Sequence, residues 1–234
     1  MAHFGSSSMH WSRYTCLIIL ILWVGLLKAG QGLDFSKIGA FLKSNYGAEA
    51  YERGVQWQQL LDKYQTQPKQ SQLKAVNDFF NQLTFADDIY VWEQEDYWAT
   101  PVEFIGRGAG DCEDYTLAKY FSLVEMGFPA DKLRLMYVKA VEFNQHHMVL
   151  TYYPKKGAEP LVLDNIDPKI KPAGQRQDLI PIYSFNADYL WLAKARGGGK
   201  MVGGSERLSL WQDILTRQSE YLVPKGSAQQ DKPQ

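Results

Sequence analysis

An α+β fold, with helices first and an antiparallel sheet after them, is what this sequence predicts. Three features carry the prediction: an apolar period of three and four residues from Asp34 to Leu83, a helix that opens at the lone thiol Cys112, and an apolar period of two from Leu133 onward.

Residues 1–32 read as a secretory signal peptide or an uncleaved N-terminal anchor. Arg13 supplies positive charge, Cys16 to Leu27 is an apolar run, and small residues Ala29, Gly30 and Gly32 follow. The run falls short of the roughly 20 apolar residues that a spanning helix needs. Either way, residues 33–223 form one domain outside the cytoplasm, followed by a loose tail at residues 224–234. Of the two cysteines, Cys16 leaves with the signal. Cys112 then has no internal partner, so an intermolecular disulfide is the structural alternative to a reactive thiol.

Phe35, Ile38, Phe41 and Leu42 repeat at helical spacing, as do Val55, Trp57, Leu60, Leu61 and Tyr64. Pro68 separates these from Leu73, Val76, Phe79, Phe80 and Leu83, which gives two or three amphipathic helices. From Thr84 to Gly110, acids Asp87, Asp88, Glu93, Glu95 and Asp96 alternate with Tyr90, Trp92, Tyr97 and Trp98, the pattern of a long surface connection. Asp111 is a good N-cap for a helix through Leu117, Tyr120, Phe121 and Val124, closed by Gly127 and Pro129. Leu133 to Val141, His147 to Tyr153 and Leu161 to Leu163 read as strands, with turns at Asn144-Gln145 and from Pro154 to Pro160. The glycines from Gly197 to Gly204 lack the spacing of a phosphate-binding loop and read as a mobile connection before a helix at Leu208 to Leu215.

A formal net charge of −1 gives none of the basic excess that nucleic-acid binding favours, so no nucleic-acid partner is expected. Roughly 200 residues beyond the signal suffice for one filled core.

The chemistry centres on Cys112. A cysteine attacks carbonyl carbon only as thiolate, and a free thiol with a pKa of about 8.5 is mostly protonated at neutral pH. A helix dipole and an imidazole favour the thiolate, and a third polar group fixes the imidazole tautomer. The chain offers these parts in order: Cys112 at a helix start, His147 on the following strand 35 residues later, and Asp164 at the end of the next strand 17 residues beyond. Neighbouring strands lie about 4.8 Å apart, close enough for side chains on one face to touch. His146 competes with His147, and strand alternation does not choose between them.

Asp111, Glu113 and Asp114 surround the thiol and raise its pKa by like-charge repulsion. Clustered hard oxygen ligands suit calcium, which would remove the repulsion, although acids at a helix start also serve as caps without any metal.

Gly-Asp-Cys-Glu-Asp-Tyr (Gly110 to Tyr115) followed by Leu-Ala-Lys-Tyr, then His-Met-Val-Leu (His147 to Leu150), then Leu-Val-Leu-Asp-Asn (Leu161 to Asn165) resembles the bacterial transglutaminase-like cysteine proteases. The resemblance is greatest to the periplasmic members that release large biofilm adhesins. It implies a papain- or transglutaminase-like fold whose nucleophile helix packs on the antiparallel sheet. It also implies Cys112 as nucleophile, His147 as general base and Asp164 as orienting acid, with Asn165 and Asp167 as weaker third members. The resemblance further implies a calcium (Ca2+) site at Asp111, Glu113 and Asp114, and as substrate a large repeat adhesin cut near its N-terminus at paired alanines. The implied inhibitory partner is the periplasmic domain of an inner-membrane cyclic di-GMP receptor, with Trp92, Trp98 or Trp191 as a contact. The backbone N–H of Cys112 would serve the oxyanion hole, with Trp98 as a candidate second donor. Other readings of the same residues are a transglutaminase, a cell-wall peptide amidase and a non-catalytic calcium-binding module.

Overall fold

The computed structural model describes residues 30–194 and 197–225. Residues 1–29 of the expected signal and 226–234 of the expected tail lie outside them. Among the described residues no helix is long and apolar enough to cross a membrane.

The described chain divides into a large unit, Leu33–Tyr221, and a small one to which residues 30–32 and 222–225 belong. Strands β1 (Gln31–Leu33) and β11 (Leu222–Pro224) pair as a two-stranded sheet.

The large unit opens with three helices, as the apolar periodicity predicts: α1 (Phe35–Tyr46), α2 (Ala48–Tyr64) and α3 (Lys69–Phe80). Asp34 caps α1 by accepting from the Lys37 N–H at 3.0 Å. Trp57 of α2 is fully buried, and its indole N–H donates to Ser122 Oγ at 2.9 Å, which ties α2 to the helix that opens at Cys112.

The stretch from Thr84 to Gly110 is more ordered and more buried than a surface connection. It holds a two-residue parallel pairing of β2 (Thr84–Phe85) with β3 (Ala109–Gly110), a short α4 (Asp88–Val91) and α5 (Pro101–Arg107). Its acids hid a capping box, in which the Thr100 hydroxyl accepts from the Glu103 N–H and the Glu103 carboxylate accepts from the Thr100 N–H. Val102, Phe104 and Ile105 are then driven inward, and Phe104 stacks on Phe80 and meets Tyr115 edge to face.

Helix α6 (Cys112–Glu125) follows, ending near Gly127, which takes a left-handed conformation at φ 82°. It packs on β4 (Leu133–Ala140) and β5 (Gln145–Tyr152), with Thr116 donating to the Met148 carbonyl at 3.0 Å. These strands belong to an antiparallel sheet of seven strands in the order β10-β9-β8-β4-β5-β6-β7. Its other members are β6 (Leu161–Leu163), β7 (Lys171–Pro172), β8 (Leu179–Phe185), β9 (Tyr189–Lys194) and β10 (Gly197–Gly204). Val138, Val149 and Val162 form a cluster with Met136, Ala173 and Leu179.

The sequence reading names no strand after Leu163, and it takes the Gly197–Gly204 run for a mobile connection. The structure corrects both points. The glycines pair with β9 through two irregularities in register, and Gly199 adopts φ 65°, which a side chain would resist. Helix α7 (Ser209–Ser219) then buries Trp211 against Tyr120, Phe121 and Phe185.

Candidate active site

Cys112 opens α6, with Asp111 as N-cap accepting from the Glu113 N–H at 3.3 Å. It is the free cysteine among the described residues and is partly exposed. Its thiol donates to Glu113 Oε2 at 2.7 Å. Burial, then the charges of Glu113 and Asp111, push the thiol pKa up, opposed by a hydrogen bond from the Met148 N–H to the sulfur. That last contact brings the sulfur beside the peptide joining His147 to Met148. Among the described residues the thiol makes no hydrogen bond to His147 itself.

His147 and Asp164 do meet. Adjacent strands β5 and β6 align Leu150 with Leu163, and the chain leaving β6 turns Asp164 onto His147, with Nε2 to Oδ1 at 2.7 Å. Both are nearly inaccessible, at 3% and 1% exposure. Burial alone would raise the Asp164 pKa. The hydrogen bond and charge of His147 and the hydrogen bond of Arg176 outweigh it and hold the carboxyl well below the usual carboxylate range. An ionised carboxylate only accepts, so Nε2 carries the proton and Nδ1 is the bare nitrogen. His146, by contrast, is exposed and lies 5.2 Å from the Tyr137 ring. Asp167 pairs with Lys171 at 2.6 Å, and the Asn165 side-chain oxygen is buried with no hydrogen-bond partner. Neither engages His147 among the described contacts.

The acids divide into two overlapping groups. Asp111 and Glu113 cluster with Cys112, whereas Asp88, Asp111 and Asp114 form a second group whose ligand atoms all lie within 4.8 Å of one another. Asp114 Oδ1 accepts from the Ala99 N–H at 2.8 Å and Asp88 Oδ2 from the Tyr97 N–H at 2.6 Å. Asp88 Oδ1 is buried without a partner. Burial is the largest cause raising all three carboxyl pKa values, Asp88 to about 6, and in Asp111 mutual repulsion adds to it.

Trp98 is buried, stacks on Phe185 at 5.7 Å, and its carbonyl accepts from Arg217 at 2.6 Å. Its side chain hydrogen-bonds Asp96, whose pKa is raised by burial and by Glu113 and lowered by that bond. Trp92 and Trp191 are partly exposed.

The family model of the bacterial transglutaminase-like cysteine proteinases matches residues 48–180, more than half of the chain. The chain belongs to that family. Its structure is similar to Legionella pneumophila LapG at 42% identity. The EGTA-treated form covers 80% of this chain and 99% of that one, with a TM-score of 0.71. The calcium-bound form has the same identity and coverage, with a TM-score of 0.69. A comparison with curated proteins found no match. This proteinase thus has the transglutaminase-like fold that the motifs imply, with the helix that opens at Cys112 on an antiparallel sheet.

Two residues of this proteinase's site escaped the sequence reading. Asp88 sat among acids with no spacing to single it out, and Arg176 had no motif around it. Gly110, in the motif, has a steric reason: a Cβ there would lie 2.2 Å from Asp114 Oδ2 and 2.9 Å from Asp114 Cβ. Gly110→Ala is expected to cost about 1–3 kcal/mol by overpacking. Urea unfolding measures it, and an unchanged midpoint would mean that Asp114 moves freely.

Proposed function

We propose that this chain is a calcium-dependent periplasmic cysteine endopeptidase, with Cys112, His147 and Asp164 as its catalytic triad. Its substrate is a large surface adhesin, cut near the N-terminus at a di-alanine site to release it and disperse a biofilm. The observation that carries the reading is the buried His147–Asp164 pair at 2.7 Å beside the strand that receives the thiol. Similarity to LapG over most of both chains supports it.

The reaction follows from the tautomer. Bare Nδ1 of His147 takes the thiol proton, and the resulting imidazolium is stabilised by Asp164 through Nε2–H. The thiolate attacks the scissile carbonyl, the Cys112 N–H donates to the oxyanion, and the imidazolium gives its proton to the leaving amine. His147 then deprotonates water, which cleaves the thioester to release the second product and restore the thiol. The rings of Tyr137 and Tyr183 stack at 5.0 Å. Burial, followed by the charges of Glu113 and Cys112, raises the Tyr137 pKa, which marks the ring as a neighbour of the thiol.

The acids fit calcium. Hard carboxylate oxygens converge, and one of them is buried without a partner. Asp88, Asp111 and Asp114 would hold the ion, with Glu113 between that group and the thiol. Calcium would supply positive charge that offsets the repulsion on the thiolate and rigidifies the start of α6. That a LapG structure is described as calcium-bound supports calcium as the ion.

For control of activity we propose inhibitory capture by the periplasmic domain of a cyclic di-GMP receptor, with partly exposed Trp92 or Trp191 as the contact.

The test is incubation of the purified chain with an adhesin N-terminal fragment bearing paired alanines, in calcium and in chelator, with Cys112→Ala as control. Cleavage that requires both calcium and Cys112 is expected. An intact fragment that instead incorporates an added amine would turn the reading to a transglutaminase.

A further inference from the structure

We infer that Arg176, braced by Asp178, is a positioning residue that sets the orientation and charge of Asp164 and hence the tautomer of His147. The inference rests on the triad reading above.

Asp164 has two oxygens and two different tasks. Oδ1 meets His147 at 2.7 Å and the Ile166 N–H at 3.0 Å, while Oδ2 accepts from Arg176 Nη2 at 2.6 Å. A carboxylate held only on its Oδ1 side would be free to rotate, and a bond from a rigid guanidinium to Oδ2 stops that rotation. Arg176 is itself fixed. Its Nε donates to Asp178 at 3.0 Å and its Nη2 shares Asp178 Oδ2 at 2.7 Å, while its backbone closes the turn Ala173–Arg176 and accepts from Leu179. With 4% exposure, the side chain has little room for another arrangement.

The groups facing Asp164 come from three directions. His147 is on β5, Arg176 comes from the segment between β7 and β8, and Lys119 from α6. Lys119 is buried, which lowers its pKa to about 7 against the raising effects of Asp164 and Asp78. Among the described residues it does not hydrogen-bond Asp164. Arg176 alone combines a fixed positive charge with a bond to the second oxygen. Asp178 is the accessible end of the relay, one-third exposed, and with Arg176 it lines a cavity of about 360 Å³ that also includes Val141, Phe143 and Ile166. Its side chain can therefore be altered without opening the core.

A charge relay of this type has a signed consequence. Removing the Arg176 charge takes away a cation that opposes protonation of the pair, so its second proton leaves at higher pH. Removing the Asp178 charge leaves Arg176 less neutralised and moves that step to lower pH.

The experiment uses the full-length chain. ¹⁵N shifts of the His147 ring are followed against pH in a Cys112→Ala background, and pH profiles of kcat and KM are measured with the active thiol present. Arg176→Gln is expected to lower kcat roughly 10–100-fold at nearly constant KM, the range typical of residues that orient a catalytic group. It should also move the ¹⁵N midpoint and the acid limb upward by about 1 pH unit. Arg176→Lys should restore the limb and part of kcat, and Asp178→Asn should shift both in the opposite direction. If Arg176→Gln does not fold, Arg176→Lys and Asp178→Asn still carry the sign test. Unmoved limbs and an unchanged tautomer, with only melting temperature reduced, would reduce Arg176 to a structural bridge. If His147 in the Cys112→Ala background already lacks the Nε2–H tautomer, the triad reading fails first and takes this inference with it.

Discussion

Asp164→Asn is expected to lower kcat by roughly 10⁴-fold, approaching the loss from Cys112→Ala, while the chain stays folded; the magnitude follows the equivalent change in a serine-protease triad. The reason lies in donors and acceptors. The Arg176 guanidinium can only donate, so it claims the one oxygen that asparagine retains. The asparagine NH₂ then faces His147 Nε2 at the 2.7 Å contact now made by Oδ1. Two donors cannot share that contact, so Nε2 becomes the acceptor and the ring proton moves to Nδ1. In the proposed mechanism Nδ1 takes the thiol proton, and in the variant it already carries one.

The change is nearly isosteric, so binding should be preserved and the loss should fall on kcat. The checks are kcat and KM on the cleaved fragment together with the His147 ¹⁵N shifts, which distinguish the tautomers. A large fall in kcat with the ring still protonated at Nε2 would show that Asp164 acts by its charge and that the tautomer argument is wrong. Unchanged kcat would remove Asp164 from the triad. Because Arg176 would keep Asp178 as its full ionic partner, the stability loss should stay below that for a buried charge with no partner.

What the sequence made legible was local. Phe35, Ile38 and Leu42 announce their helix because burial on one face imposes a spacing of three and four. Asp111 announces the start of α6 because a cap needs a short acceptor before the first turn. Leu161 to Leu163 read correctly as a strand because the run is short and apolar. Strands β8 to β10 were illegible because their residues do not alternate: Ile180 and Ile182 are both exposed with Pro181 between them, and β10 is largely glycine. Their pairing depends on β4 offering an edge, which is tertiary information.

The same distinction holds in the site. His147 and Asp164 could be ordered by spacing, but choosing His147 over His146 from residues alone was impossible, since neither strand face is marked. Asp88 is 23 residues from Asp111 and meets it only because β2 pairs with β3 and draws the start of α4 toward the N-terminus of α6. Arg176 reaches Asp164 only through the turn after β7.

The second large effect concerns Asp88, and it is expected to change sign with calcium. In chelator, three carboxylates are held together in a buried site with one oxygen unpartnered, so charge removal relieves repulsion. Asp88→Asn can keep the bond from the Tyr97 N–H through its amide oxygen, now 2.6 Å long, and turn its NH₂ toward Asp111 and Asp114. The variant should therefore melt at or above the unsubstituted chain when no calcium is present. With calcium the order reverses. A ligand that binds only the folded state adds about 2.7 kcal/mol at 100 times its Kd. That corresponds to roughly 5–10 °C in Tm for a domain of this size. Asp88→Asn removes one hard anionic donor from the group and should lose most of that increment. Thermal melts of both chains in chelator and across a calcium titration check this without any substrate. A variant less stable in chelator, and raised as much as the unsubstituted chain by calcium, would mean that Asp88 is a structural acid outside the metal site. The ion would then have to be held by Asp111, Glu113 and Asp114 around the thiol itself.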